Sequence, residues 1–205
     1  QVHDWDWAAA DASYRKALDL EPCRAEALRL AGVLAMTLGR WNEAIDLTNK
    51  AIERDPLRPN SYHNLGVALL AVNRDTEAEV ASRKAIELDP DGALRHWAIG
   101  LVLLLQGKND AALQQTQRET EEDWRLCGLP LVFHALGRRD ESDAALAALK
   151  DKYAGNSAYQ IAEVHAFRGE ADLAFEWLER AYAQRDGGVS EIKGDRLMRG
   201  LVDDP

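Results

Sequence analysis

The residues of this 205-residue chain whose types could do chemistry are five histidines, two cysteines and a short acidic run. Cys127 and His134 stand seven residues apart, which on a helix places thiolate and imidazole on one face. Two ligands do not close a tetrahedral zinc site, so no metal is expected there. No G-x-x-x-x-G-K-[ST], H-E-x-x-H, G-x-S-x-G or paired C-x-x-C occurs, so the phosphate cradle, the zinc hydrolase helix, the serine nucleophile elbow and the thiol pair all lack their signatures. The chain is expected to be no enzyme and to carry no cofactor. His96 and His165 read as packed core imidazoles, whereas His63 and His134 fall on a face open to a ligand. With Trp124 they are the residues on which a small-molecule sensor pocket would be built. The run Glu119, Glu121, Glu122 and Asp123 reads as a solvated helix end.

The elements that position these residues follow from a period. Gly32, Gly66 and Gly100 stand 34 residues apart, as do Ala10, Ala44, Ala78 and Ala112, then Ala17, Ala51 and Ala85, and Pro22, Pro56 and Pro90. A small residue on each of two helices lets their axes approach, and a proline after the second helix ends the unit, because it cannot continue the hydrogen-bond ladder. Gly39, Asn73 and Gly107 share one slot and supply the left-handed residue that ends the first helix. The period slips after Glu119, but Gly137 and Gly169 continue the same slot, placing Leu129, Pro130, Phe133 and Leu146, and then Ile161, Ala162, Ala174, Leu178 and Ala181, on packing positions. Pro130 lies inside a first helix, so a kink or a later start is expected there. After Arg185 the pattern stops; Asp186-Gly187-Gly188 and Gly194 mark a loop, and 196–202 is expected to close over the last unit as a short helix.

A 34-residue helix-turn-helix period with these slots is that of the tetratricopeptide repeat, which the chain resembles over about nine-tenths of its length. Units starting at Ala25 and Pro59 fit it slot by slot, the second of them through Tyr62, Leu65, Gly66, Leu69, Ala78, Ser82, Ala85 and Pro90, and the unit starting at Ala93 fits until Glu119 and Trp124 break its Ala and Pro slots. The resemblance implies an all-α, right-handed superhelical solenoid, with a repeat array over 1–186 (a partial first repeat and about five more, irregular from 119) and a C-terminal loop and capping helix over 187–205. Gln1 falls at position 11 of the first unit, which is expected of a region excised from a longer protein. Asp4-Trp5-Asp6-Trp7-Ala8-Ala9-Ala10 and the stretch from Ala174 to Asp186 further resemble tetratricopeptide regions of bacterial adenylate-cyclase-like or winged-helix signalling proteins.

In tetratricopeptide proteins, positions 2, 5, 9 and 12 of the first helices line a concave groove that holds partner peptides. The resemblance therefore implies a partner-binding groove of Glu26, Arg29, Val33 and Met36; Asn60, His63, Asn64, Val67 and Leu70; Leu94, Trp97, Leu101 and Leu104; then Cys127, Leu131 and His134; and Asn156, Tyr159, Glu163 and Ala166. Leu101 to Leu105 make the third of these helices apolar all round, which a helix with an open face need not be. Trp7 and Trp41 share one structural slot, whereas Trp97 belongs to the groove and Trp124 is the other tryptophan without a structural slot. A family subset clamps the C-terminal carboxylates of chaperones with Lys, Asn and Arg. Here Asn64 and Arg29 match, but Val33, Leu94 and Ala98 stand where the clamp needs Asn, Lys and Arg, so chaperone-tail capture is not expected.

The expected function is that of a non-catalytic scaffold for a protein or peptide, an arm of a larger bacterial signalling protein; self-association as a homodimer is the structural alternative. A net charge of -10 argues against a nucleic-acid partner through this region. The longest apolar stretch, Gly100 to Leu105, is far short of the roughly 20 residues that span a bilayer. Cys23 and Cys127 lie about three repeats apart, too far to pair, and two free thiols fit a cytoplasmic location.

Overall fold

In the computed structural model, which describes residues 6–201, the chain forms eleven α-helices and, among the described residues, no strand. It divides into two compact units, Gln1–Pro90 and Asp91–Pro205. The first unit comprises α1 (Trp7–Leu20), α2 (Ala25–Thr37), α3 (Trp41–Arg54), α4 (Pro59–Ala71) and α5 (Asp75–Leu88). Each helix packs on the next, and α2 also packs on α4, so hairpins stack with first helix beside first helix. The Asp4-Trp5 part of the N-terminal resemblance lies outside the described residues.

The spacing of small residues explains how closely the hairpins close. Ala44, Ala78 and Ala112 are 0 % exposed. A Cβ added at Gly32 would meet Thr48 Oγ1 at 2.7 Å, at Gly66 Ser82 Oγ at 2.8 Å, and at Gly100 Thr116 Oγ1 at 2.6 Å. The same backbone carbonyl, that of the slot alanine, lies 3.4–3.5 Å from each of these positions. Glycine is thus required by a close helix approach, and the obstacle is a buried hydroxyl one turn beyond the alanine.

The joints also repeat. Gly39, Asn73, Gly107, Gly137 and Gly169 all take positive φ, between 63° and 75°. At each joint the left-handed residue donates its N–H to the carbonyl three residues back, and the next residue donates to the carbonyl five back, as in Gly39 to Met36 (2.8 Å) and Arg40 to Ala35 (2.8 Å). These two bonds satisfy carbonyls that a helix end leaves without partners. Nothing lies within 4 Å of a Cβ built at Gly137, so only its φ of 72° resists a side chain. Gly137→Ala is accordingly expected to lower stability by about 1 kcal/mol in urea unfolding, the penalty for a left-handed alanine without any steric clash.

The second unit comprises α6 (Arg95–Leu105), α7 (Asn109–Arg118), α8 (Glu122–Ala135), α9 (Arg139–Tyr153), α10 (Ala158–Phe167) and α11 (Ala171–Gln184), followed by 3-10 turns at Gly187–Glu191 and Leu197–Leu201. Here α6 packs on α8 and α8 on α10. The break in the period has a local cause: α7 has 10 residues where α3 and α5 have 14. The chain then turns at Glu119, whose carboxylate accepts from the backbone N–H of Trp97 (3.0 Å) in α6 and of Glu121 (3.3 Å). Arg125 Nη1 donates to the Glu119 carbonyl at 2.6 Å. Where the repeat has alanine, this unit has a polar staple.

Pro130 neither delays nor ends its helix: α8 begins at Glu122 and continues through it. The proline fills the slot of Gly32, Gly66 and Gly100, and its carbonyl accepts from the buried Ser142 hydroxyl, which stands in the alanine slot. At the other end, Arg185 takes a left-handed conformation (φ 55°), and the chain folds back. The closing segment expected over 196–202 is present as the 3-10 turn Leu197–Leu201, packed on α10, with Met198 and Leu201 in one buried cluster with Tyr159, Ala162 and Ala166.

Candidate partner-binding faces

In the first unit, α2 and α4 carry the expected stripe side by side. Val33 and Met36 are half-buried, Asn60 is exposed, and His63 and Val67 are half-buried. Arg29 departs from the expectation of a cation held out to a ligand: its side chain is 14 % exposed and forks onto Glu26 through Nε (3.0 Å) and Nη2 (2.7 Å). Arg58 reaches the same carboxylate, and these cations hold Glu26 below the usual carboxylate range against its partial burial. Asn64 and Leu70 are buried, and Asn64 Nδ2 has no hydrogen-bond partner. Neither presents an open surface. The face that remains consists of Val33, Met36, Asn60, His63 and Val67.

In the second unit the stripe divides into three parts. On α6, Trp97 and Leu101 are half-buried, and the Trp97 ring tilts against Trp124 at the start of α8, with centroids 5.2 Å apart and planes at 58°. This half-buried pair is the aromatic part of the face. Leu94 caps α6 in the left-handed region at φ 69° and is half-buried, whereas Leu104 is buried. On α8, Cys127 and Leu131 are buried, and burial, with the Glu163 and Asp123 carboxylates adding to it, pushes the Cys127 thiol well up. Cys23 and Cys127 are both free.

His134 is exposed, with its ring edge-on to Phe167 at 5.8 Å. It lines a cavity of about 320 Å³ together with Gly137, Arg139, Asp143, Arg168 and Glu170. Trp124 lies against Trp97 and is no part of that cavity, so the expected grouping of Trp124 with His134 in one pocket is not formed. Among the described residues no three His, Cys, Asp or Glu side chains are arranged to hold a metal ion.

The third part, on α10, is covered by the chain itself. Tyr159 is 1 % exposed: its hydroxyl donates to Asp195 Oδ2 at 2.8 Å, and its backbone N–H donates to Asp186 Oδ2 at 3.1 Å. Glu163 and Ala166, one and two turns further on, are each 7 % exposed. Tyr159 is therefore not a groove residue open to a partner, because residues 186–201 occupy its place. The sequence signalled a closing segment, but not that Asp186 and Asp195 would bond to Tyr159.

Stacked helical hairpins with a small-residue seam and a left-handed joint define a helical-hairpin repeat protein. Within that class, residues 6–59 and residues 59–91 each match a family model described as tetratricopeptide repeat, and these residues are tetratricopeptide repeats. A comparison with curated protein sequences returns no match. Among solved structures, a tetratricopeptide repeat protein from Parabacteroides merdae is similar with a TM-score of 0.72 at 14% identity, over 98% of this chain and 79% of that one. YrrB, described as a TPR protein with an unusual peptide-binding site, is similar with a TM-score of 0.56 at 20% identity, over 83% of this chain and 91% of its own. The MamA protein is similar with a TM-score of 0.59 at 25% identity, over 73% and 84%. The fold is all-helical and of the tetratricopeptide solenoid class. Among the described residues no helix is long and apolar enough to cross a membrane.

Proposed function

We propose that this chain is a non-catalytic scaffold that holds a protein or peptide segment on the first-helix face of the unit Asp91–Pro205. The observation that carries this reading is the half-buried group of Trp97, Trp124 and Leu101 on adjoining first helices, aromatic and aliphatic surface that no backbone or capping role requires. Trp is among the side chains enriched in the hot spots that cluster near the centres of protein interfaces. Tetratricopeptide folds commonly serve as interaction scaffolds, and YrrB, a fold relative, is described as having a peptide-binding site. The open residues of α2 and α4, with Asn60 and His63 among them, form a second, more polar face. A role as the partner-binding arm of a cytoplasmic bacterial signalling protein fits this reading and the sequence resemblance at both ends.

Affinity capture from a bacterial lysate on the wild-type chain and on a Trp97→Ala/Leu101→Asp variant tests it, with circular dichroism confirming that both remain helical. The variant is expected to lose at least about 2 kcal/mol of partner affinity, roughly a 30-fold weakening. Equal retention by both proteins would sink the reading. Self-association is favoured by a separate observation in the first unit, where Leu20 and Leu57 are 73% and 74% exposed. Sedimentation that gives a monomer at high concentration removes that alternative.

A further inference from the structure

The fourth position of each repeat decides what occupies the space beside the joint that precedes it. That slot holds Leu28, Tyr62 and His96, and the slot opposite it on the second helix holds Leu47 in α3, Ala81 in α5 and Gln115 in α7. The two slots meet across the hairpin, since His96 Nδ1 lies 2.9 Å from Gln115 Oε1. One repeat earlier the Tyr62 ring reaches the joint, where its hydroxyl donates to the Pro56 carbonyl at 3.1 Å. The first of the three pairs has neither ring nor polar atom. Leu28 and Leu47, with Leu18 of α1 and Pro22 at the joint, instead line a cavity of about 440 Å³, whose remaining walls are charged side chains of α3.

We propose that this cavity is a binding site for a phenolic ring, which lies against Leu18, Leu28 and Leu47 and donates its hydroxyl to the Pro22 carbonyl. The repeat itself shows what fits. Pro22 and Pro56 follow the same joint: Glu21 and Asp55 before them have φ of -136° and -142° and ψ of 72° and 84°. Each of these two residues donates its N–H to an alanine carbonyl four residues back at 2.9 Å. The Pro22 carbonyl is thus the counterpart of the acceptor that Tyr62 uses. Three leucines and a proline supply an apolar wall, and an apolar cavity takes up a ring of matching size. A hydrocarbon ring satisfies the wall and leaves the carbonyl without a donor, whereas a ligand polar all round loses hydration against the leucines. A phenol meets both demands, because its hydroxyl donates and the rest of the ring is apolar. The ring arrives either as a free phenol or as the tyrosine side chain of a protein segment. The site lies in the first unit and does not rest on the aromatic face of the second.

Leucine-methyl NMR of the full chain, titrated with 4-methylphenol, which is the tyrosine side chain as a free molecule, tests the site. Saturable shifts are expected at Leu18, Leu28 and Leu47, with a dissociation constant of about 1 mM, ordinary for so small a ligand. 2-Methylphenol has the same atoms with the hydroxyl displaced, and it is expected to bind roughly fivefold more weakly, the net worth of one neutral hydrogen bond. Leu28→Tyr puts the protein's own ring in the cavity and is expected to abolish the Leu18 shift. Leu28→Tyr/Leu47→Ala copies the pair Tyr62 and Ala81 and is expected to do the same, which guards against overpacking in the single variant. The peptide N-acetyl-Gly-Tyr-Gly-amide separates the two sources. Competition with 4-methylphenol at the same methyls assigns the site to a tyrosine of a polypeptide, and exclusion of the peptide assigns it to a free phenol. No saturable shift well above the expected constant, equal affinity for the two isomers, or a Leu18 shift that persists in a folded Leu28→Tyr/Leu47→Ala protein overturns the proposal.

Discussion

Valine in place of Gly66 is expected to lower the unfolding free energy by about 3 kcal/mol, at the upper end of the usual range for overpacking a tight seam. Alanine there is expected to lose about 1–2 kcal/mol, because the roughly 1 kcal/mol that alanine gains over glycine in helix propensity offsets part of the clash. The reason lies in two atoms. A Cβ at Gly66 stands 2.8 Å from Ser82 Oγ and 3.4 Å from the Ala78 carbonyl oxygen. Ser82→Ala removes the first obstacle and leaves the second. The Gly66→Ala/Ser82→Ala double variant is therefore expected to return to wild-type stability or better, whereas Gly66→Val is expected to stay destabilised with Ser82→Ala, since its γ carbons still face backbone. Urea unfolding of the alanine set as a double-mutant cycle should give a coupling energy of about 1–2 kcal/mol. Additive effects in that cycle would show that the serine hydroxyl is not what demands glycine.

That seam was legible in the sequence because each of its residues answers to a local constraint. Gly66 needs absent volume, Ala78 needs little volume, and Gly39 and its counterparts need a left-handed backbone; these demands recur with the repeat, and the last survives the slip in period, so Gly137 and Gly169 could be placed as well. The prolines at 22, 56 and 90 were equally readable, since the residues before them, Glu21, Asp55 and Asp89, all leave the helical region, with φ between -136° and -152° and ψ between 72° and 84°. The candidate site was only half legible, because a repeat position fixes which way a side chain points and not what covers it. Tyr159 and Leu101 hold neighbouring kinds of position in their units, yet the first is closed by residues 186–201 and the second is half-open. Arg29 had a readable neighbour: Glu26, three residues earlier on the same helix face, takes its guanidinium. Asp195 had no local signal at all, since it lies in irregular chain and its partner Tyr159 is 36 residues away in sequence.

Glu119 carries the other large expected effect. Its carboxylate is 2 % exposed and belongs to no helix, yet it caps one from outside: Leu94, the N-cap of α6, offers no side-chain bond, and Glu119 Oε2 accepts from the Trp97 N–H in the first turn instead. An anion at a helix N-terminus is further favoured by the aligned peptide dipoles. Glu119→Ala removes this bond and the one from Glu121 and leaves a buried N–H without an acceptor, so a loss of about 3 kcal/mol is expected. Glu119→Gln is the sharper test. Both carboxylate oxygens are in use, Oε2 by Trp97 and Oε1 by Glu121. A glutamine supplies one oxygen and turns an NH2 toward the other donor, so it is expected to recover about half of the loss. Urea unfolding ranks the three proteins, and near-ultraviolet circular dichroism of the Trp97–Trp124 pair reports whether the first turn of α6 has shifted. An alanine variant within about 0.5 kcal/mol of wild type, the range of ordinary surface changes, would mean that α6 holds its first turn without the carboxylate. In that case the break of the repeat at Glu119 would have no structural role in placing Trp97.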